Sequence, residues 1–123
     1  MEVSKRILIE ARTNKDEYSA GETIQVSITI INKSSASFKL FFTSAQRYDF
    51  IILKEDQEIW RWSKDKQFAM VLGFMNLEPG DQRTYAEEWK PINEPPGEYK
   101  LVGVLTSRPP LNATCTFRIV ERI

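Results

Sequence analysis

The sequence predicts an antiparallel β-sandwich of about seven to nine strands, and three observations carry that prediction. Residues 23–31 alternate strictly, with Ile24, Val26, Ile28 and Ile30 set against Thr23, Gln25, Ser27 and Thr29. Period two with β-branched residues is the mark of a half-buried strand. Turn-forming clusters recur at short intervals, as at Ala20-Gly21-Glu22, Asn32-Lys33-Ser34-Ser35 and Glu78-Pro79-Gly80-Asp81. No long helical pattern alternates with the strands, so a parallel α/β sheet is not expected. At 123 residues the chain fits one domain spanning 1–123, large enough to bury a core without disulfides or metals.

In chain order, residues 3–12 carry Ile7 and Ile9 and predict the first strand. Lys15-Asp16-Glu17 and Ala20-Gly21-Glu22 form the turn into 23–31. Residues 38–43 place Phe38, Leu40 and Phe42 on one face, and 48–54 place Tyr48, Phe50 and Ile52 on one face. Residues 58–62 put Trp60 and Trp62 two apart, hence on a common face, read chiefly as filling the interior. Residues 67–77 fit helical spacing through Phe68, Val71, Leu72 and Met75. They also fit strand spacing through Phe68, Met70, Leu72 and Phe74. The strand is preferred, because Pro79-Gly80 would make a hairpin into 83–89, with Tyr85 and Trp89. Residues 98–105 carry Tyr99, Leu101 and Leu105; residues 113–120 carry Ala113, Cys115, Phe117 and Ile119. Only Arg and Lys protect the outer strands, so self-pairing through an edge stays open.

The counts exclude whole classes of function. There is no histidine, which removes imidazole-activated Ser or Cys nucleophiles and the His-containing zinc sites. The single cysteine, Cys115, has no internal disulfide partner and reads as a small buried hydrophobe. The five glycines are not spaced as a phosphate-binding loop requires. Seventeen basic and seventeen acidic residues cancel, which argues against nucleic acid as a partner. No regular calcium-loop spacing occurs, so neither a metal nor a cofactor is expected. No apolar run approaches a membrane span, and no signal-peptide core follows Met1–Arg6, so the expected location is cytoplasmic. The sequons at Asn32 and Asn112 then carry no meaning. No pair of carboxylates stands at a telling spacing, and the chain is read as a non-enzyme.

Three stretches together resemble the BsuPI-type intracellular proteinase inhibitor family of bacilli. They are Ser44-Ala45-Gln46-Arg47-Tyr48-Asp49-Phe50; Ile59-Trp60-Arg61-Trp62-Ser63 followed by Phe68; and Leu77-Glu78-Pro79-Gly80, then Trp89, then Pro96-Gly97-Glu98-Tyr99. The resemblance implies an immunoglobulin-like sandwich and a protein partner, an intracellular serine protease of the subtilisin type. Ala45 and Gln57 stand where that family often has glycine. A side chain at positive φ costs about 1 kcal/mol, so those turns are expected to differ in shape.

Strand reversal places 44–47 and 63–67 at the same end of the sandwich, where a loop-built contact would form. Gln46, Arg47, Ser63, Lys64 and Asp65 are therefore the candidate protein-binding residues. Arg108-Pro109-Pro110-Leu111 is the alternative inhibitory loop, because two prolines hold a segment extended and hinder cleavage after Arg108. Asp49, in a strand beside Tyr48, is read as a hydrogen-bonding strut, and Tyr99 as a tyrosine corner. The alternative functional class is a non-inhibitory domain, either structural or binding carbohydrate on exposed tryptophans.

Overall fold

The computed structural model describes residues 6–121, and Val3–Lys5 of the expected first strand lie outside it. Among the described residues there are ten strands: β1 (Ile7–Thr13), β2 (Glu17–Ser19), β3 (Ile24–Asn32), β4 (Phe38–Phe42), β5 (Tyr48–Lys54), β6 (Gln57–Arg61), β7 (Gly73–Leu77), β8 (Gln82–Trp89), β9 (Gly97–Leu105) and β10 (Leu111–Val120). The all-β sandwich expectation holds. The count exceeds the expected range because β2, three residues long, pairs in parallel with the end of β10.

The strands form a three-stranded sheet, β1-β3-β8, a five-stranded sheet, β2-β10-β9-β5-β6, and a two-stranded ribbon, β4-β7. The alternation in β3 works as predicted: Ile24, Val26, Ile28 and Ile30 are at most 1% exposed. Phe50, Ile52, Leu101, Leu105, Phe117 and Ile119 on the five-stranded sheet complete the core with them. Gly103 on β9 sets the close approach of the two sheets. A Cβ there would stand 3.2 Å from Ile28 Cβ and Cδ1, tighter than ordinary packing.

The turns follow their residues. Gly80 has φ +88° and the Asp81 amide donates to Glu78 O at 2.9 Å, as a type II turn requires. The β5–β6 hairpin takes its positive φ at Glu55 and Asp56, and neither Gln57 nor Ala45 is in that region. Both positions therefore do without glycine, and the cost of positive φ falls on two acidic residues instead. Tyr99 donates its hydroxyl to Pro95 O four residues upstream.

Three expectations are corrected. The Pro79-Gly80 turn does not close a hairpin: it carries the chain from one sheet to another, with β7 paired to β4 and β8 paired to β3. Residues 67–72 are loop, and only 73–77 are strand. The phase within that strand is also opposite to the one expected. Met75 and Leu77 are buried, while Phe74 is 62% exposed and Met70 84% exposed. The strand is short because its partner β4 ends at Phe42, opposite Gly73, so the ladder does not extend to 67–72. Trp60 and Trp62 are half-buried against the core rather than within it. They lie on β6 and the turn after it, and β6 is an edge of the five-stranded sheet.

Candidate functional site

Strands β4, β6 and β9 end where β5, β7 and β10 begin, so the loops 43–47, 62–72 and 106–110 gather at one end. Backbone hydrogen bonds tie them together. The Ala45 amide donates to Ala69 O at 2.8 Å, Thr106 to Arg47 O at 3.1 Å and Arg108 to Phe41 O at 2.8 Å. Thr106 Oγ1 donates to Gln46 O at 2.7 Å. The two regions singled out in the sequence as alternatives are thus neighbours.

Each candidate residue has a definite setting. Gln46 is half-buried and donates Nε2 to its neighbour Tyr48 O at 2.9 Å. Arg47 is half-buried, donates Nη1 to Ser44 O at 2.7 Å, and lies 4.5 Å over the Phe42 ring. Its Nη2 would stand 2.6 Å from a Cβ at Gly73. Arg47 therefore lies under the start of β7. Ser63 is held by Asp49: its amide donates to Oδ1 at 3.0 Å and its hydroxyl to Oδ2 at 2.5 Å. Lys64 and Asp65 are exposed on the following turn, where Asp65 has φ +70°. In the alternative loop, Arg108, Pro109 and Pro110 are exposed, Ser107 is buried, and Leu111 packs against the core as the first residue of β10.

Asp49, 5% exposed, is the hydrogen-bonding strut expected of it. Besides Ser63 it accepts the Phe50 amide at 2.9 Å, and Arg61 Nη1 lies 3.5 Å away. Arg61 also forks onto Glu58, and that hydrogen bond holds the Glu58 carboxyl below its usual range. Cys115 is half-buried against the core rather than fully buried as expected; desolvation still pushes its thiol up, which keeps it a poor nucleophile.

A groove of about 890 Å³ opens between the sheet edges β6 and β8, with Trp60, Trp62, Lys64, Lys66, Glu87 and Glu88 among its walls. Its aromatic surfaces are already engaged. Trp62 stacks on Tyr48 with centroids 4.8 Å apart and has Lys66 Nζ over it at 4.9 Å; Trp60 stacks on Trp89 at 5.9 Å.

Tyr48 braces this open flank. Its ring stacks on Tyr85 of β8 at 4.6 Å and its hydroxyl donates to the Glu87 carboxylate. Burial, then the Glu87 hydrogen bond, push Tyr48 from 10.0 up to about 12. Tyr99 is also raised, by burial and then by Glu94. A raised pKa means that the folded state holds the phenolic proton more tightly. The stabilisation is complete below pH 10.0, the ordinary value, and is lost as pH rises through about 12. In an alkaline titration followed at 295 nm, Tyr48→Phe should remove a component that ionises near pH 12. Loss of a component near the ordinary value instead would contradict the brace.

The family model for the BsuPI intracellular proteinase inhibitors matches residues 11–110. Among solved structures, a CARDB domain from Pyrococcus furiosus aligns with TM-score 0.55 at 11% identity, covering 94% of each chain. Spo0M, a sporulation control protein of Bacillus subtilis, aligns with TM-score 0.51 at 16% identity over 96% of this chain; the chain spans 50% of that protein. A β-glucosidase from Erythrobacter marinus aligns with TM-score 0.51 at 13% identity, over 93% of this chain and 15% of the enzyme. At these identities the likeness bears on the fold alone. No curated protein sequence matches significantly. Among the described residues no helix is long and apolar enough to cross a membrane. The family match spans most of the chain and includes the loops 43–47 and 62–72, so the chain belongs to the BsuPI family of intracellular proteinase inhibitors.

Proposed function

We propose that this chain is a cytoplasmic, non-enzymatic inhibitor of an intracellular serine protease of the subtilisin type. It would act through protein–protein contacts at the end where 43–47, 62–72 and 106–110 meet. The observation that carries the reading is this hydrogen-bonded cluster of loops on a rigid sandwich, in a member of a proteinase inhibitor family. Loops fixed by a scaffold lose little entropy on binding, which suits tight inhibition. Lys64 and Asp65 offer exposed charges for the partner, while Gln46, Arg47 and Ser63 keep the loops in place. The carbohydrate reading loses support, because the stacked tryptophans leave no open aromatic platform at Trp62. The test is a titration of such a protease with the purified chain, read with a small chromogenic peptide. Hydrolysis should fall to near zero close to equimolar inhibitor. Undiminished hydrolysis at large excess would reject active-site inhibition.

A further inference from the structure

The loop leading into β7 is the least expected surface of the molecule. Met70 is 84%, Val71 56%, Leu72 68% and Phe74 62% exposed. Residues 67–74 contain no charged side chain in a chain that is 28% charged. An exposed run of that kind marks a contact surface rather than a solvated loop. Little of its backbone is used. The Val71 amide donates to Ala69 O at 3.0 Å, a γ-turn that pushes Met70 outward. Among the described residues no hydrogen bond holds Met70 or Leu72.

The segment is nonetheless propped from both ends. Ala69 O accepts the Ala45 amide at 2.8 Å, and Phe68 packs on Trp62 with centroids 5.9 Å apart. Phe74 packs on Phe41 at 5.2 Å and has Lys39 Nζ over it at 5.1 Å. Beneath it, the Arg47 guanidinium fills the space that the missing Gly73 side chain leaves. A protruding apolar segment whose backbone is free at Met70 and Leu72, and which is tied at its base by Ala69 and by the pairing of Gly73 and Phe74 with β4, offers what a substrate segment offers. Extended peptides are recognised by main-chain pairing, with pockets taking alternate side chains.

We propose that residues 69–74 enter the substrate cleft of the target protease, with Met70 and Leu72 in apolar subsites and Arg47 as the positioning residue below. This rests on the inhibitor reading above and names the surface that performs it. The Arg108 loop fits the role less well. Its apex offers one long side chain, and the residue after the two prolines, Leu111, is committed to the core.

The test uses the full chain against an intracellular subtilisin-like protease, with a chromogenic peptide bearing a bulky apolar residue at the cleavage site. Leu72→Asp and Met70→Asp should each weaken inhibition by roughly 100-fold without moving the melting temperature. Arg108→Glu should stay within about 3-fold, as a peripheral charge does. Arg47→Ala should weaken inhibition by roughly 10-fold through a looser loop, with partial rescue in Arg47→Lys. In the wild-type complex, hydrogen exchange of the 70–72 amides should slow. If the wild type inhibits and Leu72→Asp inhibits equally well, or Arg108→Glu alone abolishes inhibition, the assignment of this segment is overturned and the inhibitor reading stands. Unchanged exchange at 70–72 in an inhibited complex overturns it as well. If the wild type does not inhibit, the inhibitor reading itself fails.

Discussion

Asn32→Asp, a change of one amide to one carboxyl, is expected to be the most damaging conservative substitution in the protein. Asn32 is 0% exposed at the end of β3. Its Nδ2 donates to Ala36 O and to Leu77 O, both at 2.9 Å, and its Oδ1 accepts the Ser34 amide at 2.9 Å. Its own amide donates to Asp81 O at 2.9 Å and its carbonyl accepts Gly80 N–H at 2.8 Å. One residue thus ties the β3–β4 turn, through its side chain, and the β7–β8 turn, through its backbone, to the end of the core. A carboxylate cannot donate, so Asn32→Asp aims negative oxygen at two carbonyls at a position that is 0% exposed.

The expected loss at pH 7 is about 4 kcal/mol, against about 3 kcal/mol for Asn32→Ala, which takes the Asn32 partner from the Leu77 carbonyl and the Ser34 amide, while Ser34 Oγ still reaches Ala36 O at 2.8 Å. The melting temperature should fall by roughly 10–15 °C. The pH dependence has a definite sign. Desolvation and the two carbonyls raise the new carboxyl above its unfolded value, so the folded state holds the proton more tightly. The difference from the wild type is smallest below the unfolded value of about 4 and grows as pH rises through the folded value. Denaturant melts of both proteins at pH 4 and pH 7 measure this. A deficit that does not change with pH would show that the amide donors do not carry the effect. The same burial means that Asn32 is not a glycan acceptor in the folded chain, although it opens a sequon.

Asn32 also shows where the sequence was legible. The tetrapeptide Asn32-Lys33-Ser34-Ser35 reads correctly as a turn, because those residue types bond their own backbone. That its first side chain is buried follows from Leu77 and Ala36 arriving from elsewhere, which no local pattern encodes. The β3 alternation, the type of the Pro79-Gly80 turn and Tyr99 are legible because each is set by neighbours within a few residues or by a strict period, whereas the sheets that this turn joins are not. Asp49 is legible for another reason: a carboxylate buried in a strand must be hydrogen-bonded, whichever residue supplies the donors. The end-sharing of 44–47 and 63–67 was legible from strand reversal alone. What failed was 67–77. Counting apolar residues puts Phe68, Met70, Leu72 and Phe74 on one face and points to that face as the inner one. The signal lay at the other end: Leu77, next to the turn, must be inward, and stepping back by two gives Met75 and Gly73. That phase leaves Met70, Leu72 and Phe74 outside. The tryptophans were misplaced for a related reason, since nothing local says that β6 is an edge.

Asp49 joins the fold to the candidate site, and Asp49→Ala is expected to cost about 3 kcal/mol. Its two oxygens take the Phe50 amide, the Ser63 amide and the Ser63 hydroxyl. Removing the carboxylate strands two amides at a position only 5% exposed, and it frees the turn that carries Lys64 and Asp65. The Arg61 contact adds little, because its side chain is 38% exposed and already forks onto Glu58. Charge and shape can therefore be separated. Asp49→Asn keeps one oxygen for the two amides and lets the Ser63 hydroxyl rotate to accept, so its cost should be about 1 kcal/mol. Paired thermal melts should show the alanine variant melting roughly 10 °C lower than the wild type and the asparagine variant only a few degrees lower. Equal losses in the two variants would assign the stability to the ion pair with Arg61 instead of the hydrogen bonds. A wild-type-like alanine variant would remove Asp49 as the anchor of the 62–66 turn. Because Trp62 stacks on Tyr48 directly beside this anchor, loss of the Asp49 bonds should also shift Trp62 fluorescence. The loop that follows leads straight into residues 69–74, so the stiffness of that segment depends on a carboxylate buried twenty residues before it.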